Sequence, residues 1–572
     1  MTAHRRRDPA TVVGLLERAA RDVPERGIAV LCSRGRGAER LTWPQVAERA
    51  RRAAAAWAAR GVAPGEPVAV VLPTSWDFLD AWLGAMVLGA LPVASAPSAG
   101  LVPAEAPLRK LAGVVEHLGI RHIAAGGALR DAAAAHQDPA LAALAARVTT
   151  PEALAASAVG AVGAEGPASP DDLAFLQLTS GSTGCPRAVE IRHRGAVHNA
   201  VAIDEAITAA DAASPGGAHP LDGIVSWLPL HHDMGLVGCL LVAAAAGLDL
   251  WLLRPSTFLA RPRLWLEHLG RHGEVFAHAP NFGYQLCVER LTPDERARLD
   301  LSPWRWAMTG AEMVREATAR AFVEAFAPHG FRAEALRPCY GLAEATLAVT
   351  VDRAGRGLRL ASPPCCGSGG AEDETSAVAC LGPPVRDTRL RITAPDGRDL
   401  EAGAVGEVRV TGPGVFAGYR DDEAATAEAL DGDELRTGDL GFVDARGELH
   451  LTGRIKELLI LRGQNVMPHE LEWVAERVMG GGGACRAGAF AIDAGAEGEQ
   501  AVLALESRCV EPETAAALAA DVRRCVQREL GIVPADVIVV RRGLLPRTTS
   551  GKLQRRALRD LYLRRALRPL SS

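Results

Sequence analysis

The chain has 572 residues, of which 48% are apolar and 23% are charged, so it can bury a large core and is too long for one compact domain. Its 68 acidic residues against 63 lysines and arginines give a formal net charge of −5, which argues against nucleic acid or anionic lipid as a general partner. Aromatic residues make up only 4% of an alanine-rich chain, and this composition favours an α/β enzyme over a β-sandwich.

Cysteine usage and hydropathy predict a cytoplasmic protein without an integral membrane segment. The eleven cysteines form no CxxC pair and are typical of reduced thiols rather than of a disulfide framework or a zinc site. The arginines at positions 5–7 are followed by Asp8 and Pro9 instead of an apolar run, so no secretory signal is expected. The long apolar stretch at residues 235–253 is interrupted by Asp249 and predicts a buried helix followed by a strand.

Hydrophobic periodicity predicts alternating helices and strands in the first part of the chain. A buried strand at residues 67–72 lies between two predicted helices, as in βαβ packing, and residues 153–164 predict a connector. The predicted helices are residues 12–22, 43–60, 77–88 and 132–146.

The second half of the chain has a different texture. Residues 352–384 are rich in glycine and proline and predict an irregular insertion or a long surface loop. Short strands at 389–393 and 406–411, bounded by turn residues, predict a small β-barrel or sheet. A strand at 458–461 and a helix at 468–479 then indicate a separate α+β module.

The strongest local motif is LQLTSGSTGCPR at residues 176–187. A strand that ends in a Ser/Thr/Gly-rich loop supplies hydroxyls and unhindered backbone N–H groups, which a loop needs in order to wrap phosphate oxygens. A flexible turn is the alternative for this motif taken alone. No Gly-Lys-Ser/Thr closes it and the chain holds no GxGxxG fingerprint, so the commonest nucleotide-binding loops are excluded.

Four further motifs carry groups suited to a nucleotide. In PCYGLAEAT at residues 338–346 a tyrosine can flank a base and Glu344 can hold a hard cation, although such a glutamate is more often a helix N-terminal acid. In RTGDL at 436–440 Asp439 can accept two ribose hydroxyls, or simply occupy a turn. The segment GRIKELLILRG at 453–463 follows, and in PRTTSGKL at 546–553 Lys552 can swing onto a reacting centre, or be solvated.

Together and in this order, the five segments resemble the superfamily of adenylate-forming enzymes, which includes acyl-CoA synthetases, peptide-synthetase adenylation domains and luciferases. The resemblance runs from about residue 41 to residue 561. The segment SWLPLHHDMGL at 226–236, with 279–282, 340–346 and 546–552, looks most like fatty acyl-AMP ligases. These enzymes activate a fatty acid as its adenylate and hand it to an acyl carrier protein rather than to coenzyme A.

The resemblance implies an α/β fold with two domains. Residues 1–455 would form a large N-terminal adenylation domain of αβ layers plus a small β-barrel, with the family's insertion at 352–384. Residues 456–572 would form a small, mobile α+β domain that turns about Lys456. ATP and Mg²⁺ are the implied cofactors, a fatty acid is the substrate, an acyl carrier protein is the partner, and the protein is expected to be a monomer or weak dimer.

The resemblance also implies roles for individual residues. Lys552 matches the mobile catalytic lysine, His232 the position that gates the carboxylate site, and Glu344, with Thr183, the Mg²⁺ ligands. The weaker match to the acyl pocket comprises Trp227, Met234 and Phe282. The residues implied to bind ATP or AMP are Thr179, Ser180, Gly181, Ser182, Thr183, Gly184, Arg187, Gly310, Ala311, Glu312, Tyr340, Gly341, Thr346, Asp439 and Arg454.

Other functions fit the same motifs. An acyl-CoA ligase would share the adenylation step and use free CoA, and an amino-acid or aryl-acid adenylation enzyme would use Asp233 to pair a substrate amine. A catalytically inactive scaffold is disfavoured because Lys552 and Glu344 are present. The basic run at residues 555–568 is interpreted either as a docking surface for an acidic carrier protein or as a solvated helix face.

Overall fold

The computed structural model describes most of the chain. The described residues are 9–31, 37–97, 105–157, 169–179, 186–212, 221–353, 356–362, 377–461, 464–480, 487–493, 499–508, 511–547 and 552–570. Side chains are described for these residues except 209–212 and 464–465. Residues 180–184 of the predicted phosphate loop and residues 363–376 of the predicted insertion lie outside these ranges.

Short strands recur along the whole described chain. In chain order they are β1 (Gly27–Leu31), β2 (Ala38–Thr42), β3 (Pro67–Val71), β4 (Leu91–Ala94), β5 (His122–Ala125), β6 (Val148–Thr149), β7 (Leu173–Thr179), β8 (Arg187–Arg192), β9 (Gly223–Ser226), β10 (Asp249–Leu252), β11 (Val275–Ala279), β12 (Trp304–Thr309), β13 (Leu336–Gly341), β14 (Ala348–Val351), β15 (Leu360–Ala361), β16 (Val378–Ala379), β17 (Arg389–Thr393), β18 (Gly406–Thr411), β19 (Leu430–Asp431), β20 (Glu434–Val443), β21 (Leu449–Arg454), β22 (Leu459–Leu461), β23 (Gln464–Val466), β24 (Ala487–Asp493), β25 (Glu499–Ser507) and β26 (Asp536–Arg541).

Helices connect and cover these strands. They are α1 (Val12–Asp22), α2 (Trp43–Ala59), α3 (Trp76–Leu88), α4 (Glu105–His117), α5 (Gly127–Ala134), α6 (Pro139–Ala142), α7 (Leu144–Arg147), α8 (Pro151–Ala156), α9 (His193–Ala212), α10 (Asp233–Gly235), α11 (Val242–Ala246), α12 (Pro255–Ala260), α13 (Arg263–Leu269), α14 (Asn281–Arg290), α15 (Pro293–Arg296), α16 (Glu316–Phe326), α17 (Glu423–Ala429), α18 (Pro468–Val478), α19 (Pro512–Leu530) and α20 (Arg555–Leu563). A π-helical turn at Leu236–Leu241 joins α10 to α11, and 3₁₀ turns lie at Ala327–His329, Ala333–Ala335, Ala343–Ala345 and Ile455–Glu457.

Two large sheets carry most of the chain before residue 353. One has eight strands in the order β14-β13-β12-β11-β9-β10-β1-β2, with parallel pairing from β13 to β1 and an antiparallel strand at each edge. The other has six strands in the order β6-β5-β3-β4-β7-β8, and only β8 is antiparallel. Parallel strands covered on both faces need near-continuous apolar sequence, which is why every residue of β11 is buried.

Alanine and glycine permit close packing between α2 and α3. A Cβ added at Gly84 would lie 2.5 Å from the Cβ of Ala53, so the two helices touch almost backbone to backbone. Six tryptophans, by contrast, are fully buried in the same large hydrophobic cluster and fill its wider spaces: Trp43, Trp57, Trp82, Trp265, Trp304 and Trp306. The alanine-rich composition therefore reflects helix contacts rather than low complexity.

The strands after residue 385 form an open sheet. The order is β17-β18-β20-β19, with β21 paired to β20, and within the described residues this sheet does not close on itself. The expected small β-barrel is thus a five-stranded sheet. Of the predicted irregular segment at 352–384, the described residues contain the short antiparallel pair of β15 and β16.

The C-terminal residues build a separate sheet with its own hydrophobic clusters. Strands β23-β22-β25-β24 lie side by side, β26 pairs with β25, and residues from Leu459 onward fill two clusters of their own. Arg315 pairs with Glu476, and Arg542 lies 3.6 Å from Glu289, so this module contacts the eight-stranded sheet's helices. The domain boundary at residues 455/456 stays a prediction.

Most elements follow the sequence prediction, and two do not. The connector expected at residues 153–164 is wrong at its start, because α8 extends to Ala156, and residues 158–164 lie outside the described residues. The helix at 12–22 and the strands at 389–393 and 406–411 are confirmed to the residue, and residues 235–253 form buried helix followed by β10. The helix expected at 132–146 is wrong, because α5 ends at Ala134 and Asp138 caps a new helix that begins with Pro139. Among the residues described, no helix has both the length and the apolar character needed to cross a bilayer.

Candidate functional site

The predicted site segments converge at the carboxyl ends of parallel strands. In open α/β sheets this edge forms the ligand-binding crevice, because the loops that leave the strands meet there. The segments are Thr179 at the end of β7, Trp227 after β9, Phe282 after β11, Gly310 after β12 and Tyr340 near the end of β13. Four of these segments share the carboxyl edge of the eight-stranded sheet, and Thr179 ends a strand of the six-stranded sheet.

Tyr340, Asp439 and Arg454 form one buried chain of polar contacts. The Tyr340 hydroxyl donates to Oδ2 of Asp439 at 2.6 Å, and Nε of Arg454 donates to Oδ1 at 2.7 Å. Burial and the adjacent carboxylate raise the pKa of Tyr340 well above its ordinary value, so the hydroxyl stays a donor. Asp439, only 3% exposed, is held rigidly between β13 and β21, the arrangement that the predicted ribose clamp requires.

Glu344 lies in the 3₁₀ turn after β13 and contacts a tyrosine that the sequence motifs missed. The Tyr419 hydroxyl donates to Oε1 of Glu344 at 2.7 Å. The same ring lies under the guanidinium of Arg187, 5.1 Å from it, and Arg187 also approaches Asp422 at 3.5 Å. Tyr419 therefore links the predicted cation ligand to the strand that follows the phosphate loop. No local motif marks it, since it stands 75 residues beyond Glu344.

The loops around the predicted adenine wall are tightly constrained. Ala311 and Thr346 both adopt positive φ, at 70° and 68°, although neither is glycine. Such backbone costs about 1–3 kcal/mol each and is typical of pre-organised binding loops. The Thr346 hydroxyl donates to the carbonyl of Gly414 at 2.7 Å, and a Cβ at Gly341 would lie 1.7 Å from the carbonyl oxygen of Leu347. Glu312 accepts the backbone N–H of Phe282 at 3.3 Å.

The two histidines before α10 differ in their surroundings. His231 is buried, and burial lowers its pKa to about 4, so it is neutral near pH 7. Its carbonyl accepts from the side chain of Gln177 at 3.1 Å, which ties this loop to β7. His232 is partly exposed, and its Nδ1 lies 2.5 Å from Oδ1 of Asp233. Asp233 is therefore engaged by a histidine, which leaves it poorly placed to pair the amine of an amino-acid substrate.

Lys552 reaches this edge from the C-terminal module. Its ammonium interacts with the charges of Asp233, Glu312, Asp439 and Arg454, which come from four separate segments of the large portion. Burial and the positive charge of Arg454 lower the pKa of Lys552, and the three carboxylates oppose this shift. The structure thus places the predicted catalytic lysine beside the predicted ribose clamp and the histidine loop.

The predicted acyl-pocket residues divide into a contacting pair and a neighbour. Trp227 stacks on Phe258 at 3.9 Å and meets the edge of Phe282 at 5.5 Å. Met234 is buried at the start of α10, where its backbone N–H binds Asp233. The aromatic pair lies directly beside β9 and α14, so this side of the site is apolar.

Two predicted features lie outside this cluster. Ser180, Gly181, Ser182, Thr183 and Gly184 are not among the described residues, and Thr179 marks the end of β7 before them. Lys456 lies in the 3₁₀ turn after β21, where its exposed ammonium pairs with Glu428 at 2.8 Å. Its role as a hinge stays a prediction.

Comparison with known proteins agrees with this geometry. Residues 16–420 match the family model described as AMP-binding enzyme. The chain is 34% identical over 561 residues to a Caulobacter vibrioides protein provisionally described as an acyl-CoA synthetase, covering 94% of this chain and 93% of that protein. It is 32% identical over 555 residues to the long-chain-fatty-acid–AMP ligase FadD23 of Mycobacterium tuberculosis, covering 92% and 91%.

A third relative and two solved structures are also similar to this chain. JamA of Moorena producens, a medium-chain-fatty-acid–[acyl-carrier-protein] ligase, is 34% identical over 418 residues, covering 69% of this chain and 68% of that protein. A structure from a study of fatty acyl-adenylate ligases of E. coli and L. pneumophila is 30% identical, covers 97% and 98% of the two chains and gives a TM-score of 0.84.

An L. pneumophila fatty acyl-adenylate ligase in complex with acyl adenylate and pyrophosphate is 27% identical, with 98% of each chain covered and a TM-score of 0.70. Matches that span nearly the whole chain at 30% identity or more establish common descent and fold. The chain therefore belongs to the AMP-binding enzyme family and, within it, to the fatty acyl-AMP ligases.

Proposed function

We propose that this protein activates a fatty acid with ATP to form the acyl adenylate and then transfers the acyl group to the phosphopantetheine thiol of an acyl carrier protein. The observation that carries the first half-reaction is that the charges of Asp439, Arg454 and Asp233, which follows His232, all act on Lys552. The second half-reaction is supported by JamA, whose name specifies a carrier protein as acceptor.

In the adenylation step a carboxylate oxygen attacks the α-phosphorus of ATP. The new O–P bond forms as the bond from the α-phosphorus to the bridging oxygen breaks, and pyrophosphate leaves with that electron pair. Two anions must approach each other, so a cation at the reaction centre is essential. We assign this role to Lys552, whose interaction with Asp233, Glu312 and Asp439 supports it, while Asp439 would bind the ribose hydroxyls and Tyr340 would hold the Asp439 carboxylate.

The residues also fit the Mg²⁺ that accompanies ATP. The carboxylate of Glu344 is a hard oxygen donor of the kind that Mg²⁺ prefers, and Thr183 is the second candidate ligand from the phosphate loop. Bound there, the ion would neutralise charge on the phosphates. Tyr419 would fix the orientation of Glu344 through its hydrogen bond.

An exposed basic surface on the C-terminal module is the proposed contact for an acidic carrier. Arg555 does not belong to it, because this side chain pairs internally with Glu472 and Glu457. Arg556 is also exposed but has a partner of its own. The other exposed arginines of this run, which we call the C-terminal arginine face, are Arg559, Arg564, Arg565 and Arg568. Within the described part of the chain none of these four forms an ion pair, and their charges remain available to a partner.

Fatty-acid-dependent ATP–pyrophosphate exchange tests the first half-reaction. The chain has only three lysines, so Lys110→Ala, at an exposed position of helix α4, is a matched control for Lys552→Ala. We expect Lys552→Ala to lower the exchange rate about 10²- to 10³-fold and Lys110→Ala to leave it unchanged. Exchange that responds to amino acids but not to fatty acids would overturn the substrate class, and an unaffected Lys552→Ala would overturn the mechanism.

A further inference from the structure

Asp233 is a buried carboxylate that the expected ligand set does not use. It opens α10, and its side chain is only 12% exposed. Oδ1 lies 2.5 Å from Nδ1 of His232 and accepts the backbone N–H of Met234 at 2.7 Å. The carboxylate is therefore fixed by the chain around it before any ligand arrives.

The contact with Asp233 determines which imidazole nitrogen of His232 meets the ligand. The backbone N–H of Met234 lies 3.4 Å from Nδ1 but 2.7 Å from Oδ1 of Asp233, so its stronger hydrogen bond goes to the carboxylate. A carboxylate oxygen accepts only, so Nδ1 carries the proton that lies between the imidazole and Asp233. The other nitrogen, Nε2, is then the one that can meet the substrate. His231 next to it has no such partner in the described residues, since its Nε2 is buried without a hydrogen bond.

The same carboxylate faces Lys552. The charged groups acting on the Lys552 ammonium are Asp233, Glu312, Asp439 and Arg454, and Asp233 exerts the strongest of the favourable effects. The attraction is mutual: burial alone would raise the pKa of Asp233, but the charges of His232 and Lys552 hold it below its ordinary value. Asp233 is thus favoured in its ionised form and interacts with His232 and Lys552, which come from different parts of the fold.

We propose that Asp233 is a positioning residue for the adenylation step, which orients the His232 imidazole and supplies the counter-charge that holds Lys552 in the site. The inference rests on the proposed function and names a residue that acts through two others. Because Lys552 is needed only while the adenylate forms, Asp233 acts on that half-reaction and has little effect on binding of a finished adenylate.

Asp233→Asn tests the proposal, since the amide keeps the size of the side chain and removes its charge. We expect the kcat of fatty-acid-dependent exchange to fall at least tenfold while KM for ATP changes less than twofold. The alkaline limb of the pH–rate profile should move to lower pH, because loss of the negative charge at Asp233 lowers the pKa of Lys552 further. The Kd of a non-hydrolysable dodecanoyl-sulfamoyl adenosine should stay within threefold of wild type.

Two further variants separate a positioning role from a structural one. Asp233→Glu restores the charge and should recover most of the rate and the wild-type alkaline limb. Glu316→Gln removes one exposed negative charge on α16 and should change neither. If Asp233→Asn fails to fold, the alkaline limb of Asp233→Glu becomes the deciding measurement.

An Asp233→Asn enzyme with an exchange rate within threefold of wild type and an unmoved alkaline limb would overturn the proposal. So would an Asp233→Glu enzyme that folds but remains as slow as the amide. Absence of fatty-acid-dependent exchange in the wild-type protein would refute the proposed function instead.

Discussion

Arg555 is expected to hold the catalytic end of the C-terminal module in place. It begins α20, three residues after Lys552, and its guanidinium makes a two-pronged contact with Glu472, Nε to Oε1 and Nη2 to Oε2, both at 2.8 Å. Glu472 is 0% exposed. Arg555→Met would leave this carboxylate buried and unpaired, which typically costs about 3–5 kcal/mol.

The contact of Arg555 with Glu457 is a more exposed ion pair and serves for comparison. Nη1 of Arg555 binds Oε2 of Glu457 at 2.6 Å, but the Glu457 side chain is 38% exposed. A pair of this kind is worth at most about 1 kcal/mol, so Glu457→Gln should have a small effect. Arg559→Met, on the exposed side of the same helix, should have almost none.

The pH dependence has a definite sign. In the wild type, burial raises the pKa of Glu472, but the charge and hydrogen bonds of Arg555 outweigh it and hold the pKa below its ordinary value. This contribution to stability is present above the unfolded pKa and is lost as pH falls through the folded pKa. In Arg555→Met the effect of Arg555 is lost while the backbone N–H of Ala489 and the charge of Arg315 remain, so the pKa of Glu472 rises and the stability deficit widens as pH rises above the unfolded pKa.

Hydrogen exchange resolves this local effect better than a global melt does, because the chain holds more than one cooperative unit. We expect amides of α20 and β24 to exchange about 10²-fold faster or more in Arg555→Met, with the eight-stranded sheet unchanged. Exchange in α20 within fivefold of wild type, or an equal effect of Glu457→Gln, would refute this interpretation of the buried pair.

Three further outcomes are expected. Tyr340→Phe removes the hydroxyl that holds Asp439. Because hydrogen bonds to charged groups contribute about 1.5–3 kcal/mol, the KM for ATP should rise about tenfold or more, while the KM for fatty acid stays nearly constant. Charge reversal of Arg564 and Arg565 in the C-terminal arginine face should raise KM for a holo-carrier at low salt without altering pyrophosphate exchange. Burial raises the pKa of Asp204 to about 6, so folding favours its protonated form. This contribution to stability is lost as pH rises through 6, and urea denaturation of Asp204→Asn should show no such loss.

Each of these three predictions has a control or an outcome that would contradict it. Reversal of Arg51 and Arg52, exposed on α2, should leave the KM for carrier unchanged, and high salt should erase the effect at the C-terminal arginine face. An unaltered KM for ATP in Tyr340→Phe would remove Tyr340 from the nucleotide site. Parallel stability–pH curves for wild type and Asp204→Asn would mean that Asp204 is ionised in the fold at pH 5.

Local patterns predicted the elements well where the determinants were local. The helix at 12–22 starts after Thr11, which caps it, and the strands at 389–393 and 406–411 are flanked by turn residues. The helix expected at 132–146 failed because apolar spacing masked the cap at Asp138. Nothing in the apolar stretch at 235–253 indicated that part of it would be π-helical.

In the candidate site, too, the sequence motifs predicted individual residues but not their contacts. Glu344, Tyr340, Asp439 and Lys552 stand in recognisable segments, but which of them meet does not follow from those segments. Tyr340 reaches Asp439 across 99 residues, and Tyr419, which no motif marks, reaches Glu344 across 75. These contacts depend on which strands become neighbours, and that is decided by packing of the whole chain. Asp233 was visible in the sequence, but its contact with His232 depends on the backbone geometry at the start of α10.

An acceptor competition tests the proposed reaction most directly. Purified protein would receive ATP, Mg²⁺ and a radiolabelled fatty acid, with CoA and a holo-acyl carrier protein present together, over a panel of chain lengths. We expect label to pass through acyl-AMP to the carrier thiol, with little acyl-CoA formed. Rapid accumulation of acyl-CoA, with the carrier unlabelled, would contradict the assignment of the carrier as acceptor.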